Sequence, residues 1–237
     1  MPVEPRPPVW QLPDPRGVPA GVELVAVGAD LSPGMLLAGY RSGLFAMPEK
    51  HLLGWWSPDP RGILRPGAVH VSRSLRRSLR RFTVSVDRRF AQVVAACADP
   101  ARPFGWISPQ YQASYRALHE LGWAHSIEVW DDAGALAGGL FGVEVGGLFA
   151  AESKFHVATD ASKAAVVALA DLLAADRHPD RLIDVQWRTA HLASLGALEV
   201  ARPEYLRLLA RALRLDPVLA GQSPAGAAPS RIRWRIA

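Results

Sequence analysis

The chain has 237 residues, 49% hydrophobic and 21% charged. It is long enough to bury a real core, and that balance excludes a disordered tail, a collagen or a coiled coil. One cysteine, Cys97, excludes an intrachain disulfide and a Cys-rich zinc site, and the net charge of +5 admits a polyanionic partner.

Met1 to Pro8 carries four prolines and no apolar core. It does not read as a signal peptide, so a reducing, cytoplasmic setting is expected. Residues 1–20 form a Pro-rich lead and Val22–Val27 a short apolar run. Ser32-Pro33 opens a helix that Gly43 ends, with Leu36, Leu37 and Tyr40 on its apolar side. Gly54 to Arg61 reads as an aromatic, proline-rich loop. A basic helix over 72–81, a strand over 83–86, a helix over 90–98 and a helix over 108–121 follow. Three strands are expected at 126–130, 135–143 and 148–153. The glycines of that segment argue against a membrane helix. A long apolar helix over 162–175, a strand over 181–187, a helical turn at 191–195 and a helix over 203–214 complete the order. The tail from 216 is Pro/Ala/Gly-rich and expected to be mobile. The expected division is a small N-terminal domain over 1–65, a larger α+β domain over 66–215 and the tail over 216–237.

Arg73, Arg76, Arg77, Arg80 and Arg81 share one broad face of the basic helix, opposite Leu75, Leu79 and Phe82. This is either a solvated surface or a grip on phosphates. Only three of the 27 basic residues are lysine (Lys50, Lys154, Lys163), so a GC-rich, arginine-favouring genome also accounts for part of the charge. Asp184 and Gln186 stand two apart on a strand and are expected on one face, with Ile183, Val185 and Trp187 on the other. That pair is either a loop-ordering aspartate or a polar pair at a site, with Asp184 orienting Gln186. Glu152 ends a strand. Tyr40, Trp55, Trp56, Trp106, Tyr111 and Tyr115 are core residues or stacking platforms for bases. No P-loop, dinucleotide fingerprint or nucleophile elbow is present, and Cys97 reads as core.

Several strings together resemble the bacterial leucyl/phenylalanyl-tRNA–protein transferases. They include Trp55-Trp56-Ser57-Pro58-Asp59-Pro60-Arg61, Ala124-His125-Ser126-Ile127-Glu128-Val129-Trp130, Glu152-Ser153, Leu182-Ile183-Asp184 and His191-Leu192-Ala193-Ser194-Leu195-Gly196-Ala197. The resemblance implies a GNAT-like (acyl-CoA N-acyltransferase type) C-terminal domain, a mixed sheet flanked by helices, behind a small N-terminal domain. It implies transfer of Leu or Phe, less well Met, from aminoacyl-tRNA to proteins beginning with Arg or Lys, marking them for N-degron degradation. No cofactor, no metal and no membrane are expected, and a monomer is.

By the same resemblance Asp184, Gln186 and Glu152 are catalytic. Tyr40, Met47, Trp106, Tyr115, Leu140, Phe149, Phe155 and Leu169 receive the aminoacyl-adenosine end, and the arginines at 73, 76, 77, 80 and 81 hold the tRNA. Three positions depart from the family pattern. Met47 replaces a stacking tryptophan, Lys154 an apolar pocket residue, and Trp187 a valine. The alternatives are an acyl-CoA N-acyltransferase, against which the glycine-free segment 156–161 counts, and a non-catalytic tRNA-binding module.

Overall fold

The computed structural model describes residues 1–102 and 105–221; the part of the expected mobile tail beyond 221 lies outside them. A small antiparallel sheet holds β1 (Leu24–Val27), β2 (Phe45–Glu49) and β3 (Leu52–Trp56) in the order β1-β3-β2, with α1 (Pro33–Ser42) between β1 and β2. Ser32 stands before α1 but its hydroxyl makes no capping bond. Pro33, with its preset φ, starts the helix, and Gly43 at φ 84 stops it.

The larger sheet collects β4 (Arg61–Leu64), β5 (Thr83–Val86), β6 (Ala124–Trp130), β7 (Leu136–Val145), β8 (Leu148–His156), β9 (Leu182–Gln186) and β10 (Leu198–Val200). Its order is β10-β4-β9-β8-β7-β6-β5. Of the neighbouring pairs, β8 and β9 run parallel and the rest antiparallel. The aromatic, proline-rich segment read as a loop, Gly54 to Arg61, therefore holds the end of β3 and the first residue of β4. Residues 61–64, on the N-terminal side of the division expected at 65, pair within the large sheet. Neither strand alternates cleanly, so periodicity alone does not reveal them.

Helices cover both faces. On one side α2 (Arg73–Leu79) and α5 (Ala161–Leu173) bury Leu75, Leu79 and Leu169 against Ile127, Leu140 and Ile183. On the other, α1, α3 (Phe90–Cys97) and α4 (Pro109–Glu120) bury Leu37, Val93 and Tyr115 against Phe141 and Val143. Leu140 and Phe141 thus serve opposite cores, as the two-residue period of a strand requires. Cys97 is buried among the apolar residues of the second core, and burial pushes its thiol up to about 11. Two short elements, α6 (Ala190–Ala193) and α7 (Arg202–Ala212), close the C-terminal side. Buried Arg202 ties α7 to the N-terminal region, donating to the carbonyls of Ser57, Val18 and Val22.

The start of the expected mobile tail is anchored. Leu219 is fully buried in the first core. The backbone N–H groups of Val218 and Leu219 donate to the Glu144 carboxylate at 2.7 and 2.9 Å. Val218, Leu219 and Ala220 make too short an apolar run to carry a periodic signal beside the Pro- and Gly-rich stretch, so composition alone points to mobility. Replacing Glu144 by Gln puts an NH2 group against one of those donors. The expected cost is about 1–3 kcal/mol, read as a lower urea midpoint with unchanged slope.

Candidate active site

The parallel pairing of β8 with β9 runs Leu148↔Leu182, Phe149↔Ile183, Ala150↔Asp184 and then stops. Beyond that point lies a cavity of about 180 Å³. Leu140, Val166, Leu169, Ile183, Val185 and Leu192 supply apolar walls, and Glu152, Lys154 and Gln186 supply polar groups.

Strand β9 is irregular where it meets this cavity. Its register with β4 passes from Ile63↔Asp184 to Gly62↔Gln186, leaving Val185 as an extra residue, and Gln186 adopts φ 58. The left-handed turn breaks the alternation. Gln186 therefore shares the cavity with Ile183, Val185 and Trp187 rather than a face with Asp184, contrary to the alternation expected from sequence. Gly62 permits the bulge, since a Cβ there would meet the Arg188 nitrogen and the Trp187 carbonyl carbon at 2.8 Å.

Asp184 sits behind the cavity wall, 1% exposed. Arg61 grips it with two bonds, Nε to Oδ1 at 2.9 Å and Nη2 to Oδ2 at 2.6 Å. The Tyr205 hydroxyl donates to Oδ2 at 2.9 Å. The Arg61 guanidinium lies 4.8 Å from the Phe45 ring centroid and 4.4 Å from that of Tyr205. Burial is the largest influence and opposes its charge, but Asp184, Tyr205 and Glu152 together outweigh burial and hold the guanidinium above its ordinary value. Asp184 reaches Gln186 through the main chain: the Gln186 N–H donates to Oδ1 at 2.9 Å. With the Gln186 amide oriented to satisfy its neighbours, Nε2 donates to the carbonyls of Ala151 at 3.0 Å and Val185 at 3.1 Å. Asp184 thus fixes the backbone of Gln186, and β8 fixes its amide.

Glu152 lies one residue beyond Ala151. Tyr40 donates to its Oε1 at 2.9 Å and Tyr115 to its Oε2 at 2.6 Å. Burial, only partly offset by the two tyrosines, pushes the carboxyl up to about 7. Burial and the same carboxylate push both tyrosine hydroxyls well up, so they remain donors. Because the folded value lies above the ordinary one, the fold favours protonated Glu152. Its contribution to stability is full below the ordinary value of 4.5 and is lost as pH rises through about 7. Glu152→Gln is expected to flatten the fall in melting temperature across that window, as calorimetry at a series of pH values would read.

The other expected site residues divide. Trp106 meets Tyr111 and Tyr115 edge-on at 5.3 and 6.4 Å, beside the tyrosine clamp. Leu140 and Leu169 line the cavity. Phe149 and Phe155 are buried in the two cores and are not among the lining residues. Met47 lies in the small sheet, where its carbonyl accepts from Trp56 Nε1 at 3.1 Å. Trp187 packs edge-on against Phe45 and Trp56. Arg73, Arg76, Arg77, Arg80 and Arg81 are all exposed on and just after α2, and none lines the cavity. Sequence reasoning missed Arg61 and Tyr205 as supports of Asp184. Arg61 ends the Trp55–Arg61 string that carries part of the family resemblance, but nothing in the string says which carboxylate it meets.

The family model described as leucyl/phenylalanyl-tRNA protein transferase matches residues 63–210, and the model of that family's N-terminal domain matches 29–59. A curated leucyl/phenylalanyl-tRNA--protein transferase of Aromatoleum aromaticum is 50% identical over 86% of this chain and 85% of its own length. The chain belongs to the leucyl/phenylalanyl-tRNA–protein transferase family. A second transferase of that name, from Anaeromyxobacter sp., is 49% identical over 86% of this chain and 91% of its own. Among solved structures, L-PGS from Bacillus licheniformis covers 65% of each chain at 10% identity, with a TM-score of 0.41.

Within this transferase the boundary between the two family models, between residues 59 and 63, falls across the start of β4, and Arg61 lies in that gap. Arg61 and Asp184 are therefore partners drawn from widely separated parts of the chain. Among the described residues no helix is long and apolar enough to cross a membrane.

Proposed function

We propose that the protein moves a leucyl or phenylalanyl group, and less readily a methionyl group, from its tRNA to the α-amine of proteins beginning with Arg or Lys. The product is marked for degradation. The protein acts as a cytoplasmic monomer without metal or coenzyme. The observation that carries this reading is the convergence of Glu152 and Gln186 on an apolar cavity of about 180 Å³. Apolar protein cavities of roughly 150 Å³ take up benzene, so the space suits a benzyl or isobutyl side chain.

An aminoacyl ester is already activated, so the work is orientation and proton removal. Gln186, with Nε2 held by two carbonyls, turns Oε1 to the arriving amine. The amine nitrogen attacks the ester carbon, the C–N bond forms and the C–O bond to the ribose breaks. Glu152, raised to about 7, accepts the amine proton and returns a proton to the departing ribose hydroxyl. Asp184 and Arg61 act through the backbone of Gln186. The arginines of α2 hold the tRNA phosphates.

Labelled Leu-tRNA and Phe-tRNA, offered with peptides beginning in Arg, Lys or Ala, test this. Transfer to the Arg and Lys peptides alone is the expected result. Acylation supported by acyl-CoA, or tRNA binding without transfer, overturns it. Lys154→Met replaces a charged wall of the cavity by an apolar one and is expected to raise kcat/KM for Leu and Phe by about tenfold.

A further inference from the structure

On the α2–α5 side of the large sheet, two depressions of about 520 and 430 Å³ share Pro66, Gly67, Ala174 and Arg177 in their walls. They adjoin between the same two banks and are described together as one groove. One bank is the chain from Arg65 to Val71; the other is the end of α5 and the turn that follows it. Arg65, His70, Arg76, Arg177 and His178 line it, with Asp171 as its acidic lining residue. The neighbouring carboxylates of Asp176 and Asp180 are taken up by Arg181 at 2.7 Å and Arg211 at 2.8 Å. With Arg65, Arg76 and Arg177 against Asp171, and Arg181 in its wall paired with Asp176, the groove carries net positive charge.

Two further observations say what fits it. Arg76 belongs both to the groove and to the arginine face of α2, so the two positive surfaces are contiguous. None of the large apolar side chains exposed on the surface lines the groove. A lipid surface would need such side chains, and an acceptor beginning with Arg or Lys would be repelled. Arg177 also holds φ 58 where it closes the turn after α5. A glycine would take that conformation without strain.

We infer that this groove carries the sugar–phosphate backbone of the tRNA as a second track beside the α2 ridge. The inference rests on the reading given under Proposed function. A-form RNA is recognised chiefly through phosphates and 2′-hydroxyls along its surface, and a channel banked by guanidinium and imidazole groups suits that chemistry.

The test uses the full chain and deacylated tRNA, with filter binding over a range of KCl concentrations. The variants are Arg65→Gln with Arg177→Gly in the groove, and Arg73→Ala with Arg80→Ala on α2. The groove pair is expected to weaken binding about tenfold and to reduce the salt slope by about two. Its melting temperature should not fall, because Arg177→Gly relieves the strained turn. Unchanged affinity and slope in the groove pair, with both reduced in the α2 pair, overturns the groove while leaving the transferase reading intact. A raised KM for the acceptor peptide with tRNA binding intact assigns the groove to the acceptor and also overturns it. Salt-insensitive binding by the unaltered protein defeats both readings.

Discussion

Asp184→Ala is expected to destabilise the protein by about 3–5 kcal/mol. The reason is the company the carboxylate keeps. Arg61 and Asp184 are each 1% exposed, and the guanidinium packs over the rings of Phe45 and Tyr205. Removing the carboxylate leaves a buried charge that keeps only neutral hydrogen-bond partners, the Gly43 carbonyl at 3.1 Å and the Tyr205 hydroxyl at 3.4 Å. Arg61→Met is expected to cost a similar amount by stranding Asp184. The double variant Arg61→Met with Asp184→Leu should be far less damaged than the sum of the two, because the two buried charges leave together. Urea unfolding of all four proteins reads the cycle. Additive losses would mean that the pair is not coupled. Transfer should fall in every variant that loosens Gln186, while tRNA binding through exposed α2 persists in the folded fraction.

Gln186→Gly is expected to lower kcat about a hundredfold with little change in stability or in tRNA affinity. Glycine is the informative substitution because position 186 sits at φ 58. Alanine keeps the Cβ and the left-handed strain that glutamine already bears, whereas glycine relieves that strain and so offsets the loss of the side chain's two hydrogen bonds to the fold. Gln186→Asn keeps an amide and tolerates the same conformation, but withdraws the group by one methylene from the Ala151 carbonyl. Partial activity is the expected result there. Single-turnover transfer from Phe-tRNA to an Arg peptide separates the chemical step from binding. A rise in KM alone, with kcat intact, would make Gln186 a binding residue and remove it from the reacting centre.

Much of this arrangement is legible in the chain itself, and the two levels divide by range. Helices α1 to α5 and strands β5 to β9 follow from local signals: the spacing of apolar residues, Pro33 and Pro109 at first helical turns, Gly43 at a helix end. The arginine face of α2 follows from the same spacing, because exposure of Arg73, Arg76, Arg77 and Arg80 depends only on Leu75 and Leu79 being buried. Glu152 and Gln186 are candidates on sequence grounds, but the reason they meet is not in the sequence. Only the tertiary structure inserts β4 between β10 and β9 and so brings Arg61 to Asp184 across 123 residues. It alone bulges β9 at Val185, turns Gln186 into the cavity, and folds Tyr40 and Tyr115 over Glu152 from two different helices. It also buries Leu219 in what composition marks as tail. Local periodicity encodes which side of an element is apolar. Which elements then lie together depends on pairing and packing over long stretches of chain, and a carboxylate held near neutrality exists only once that packing has removed its water.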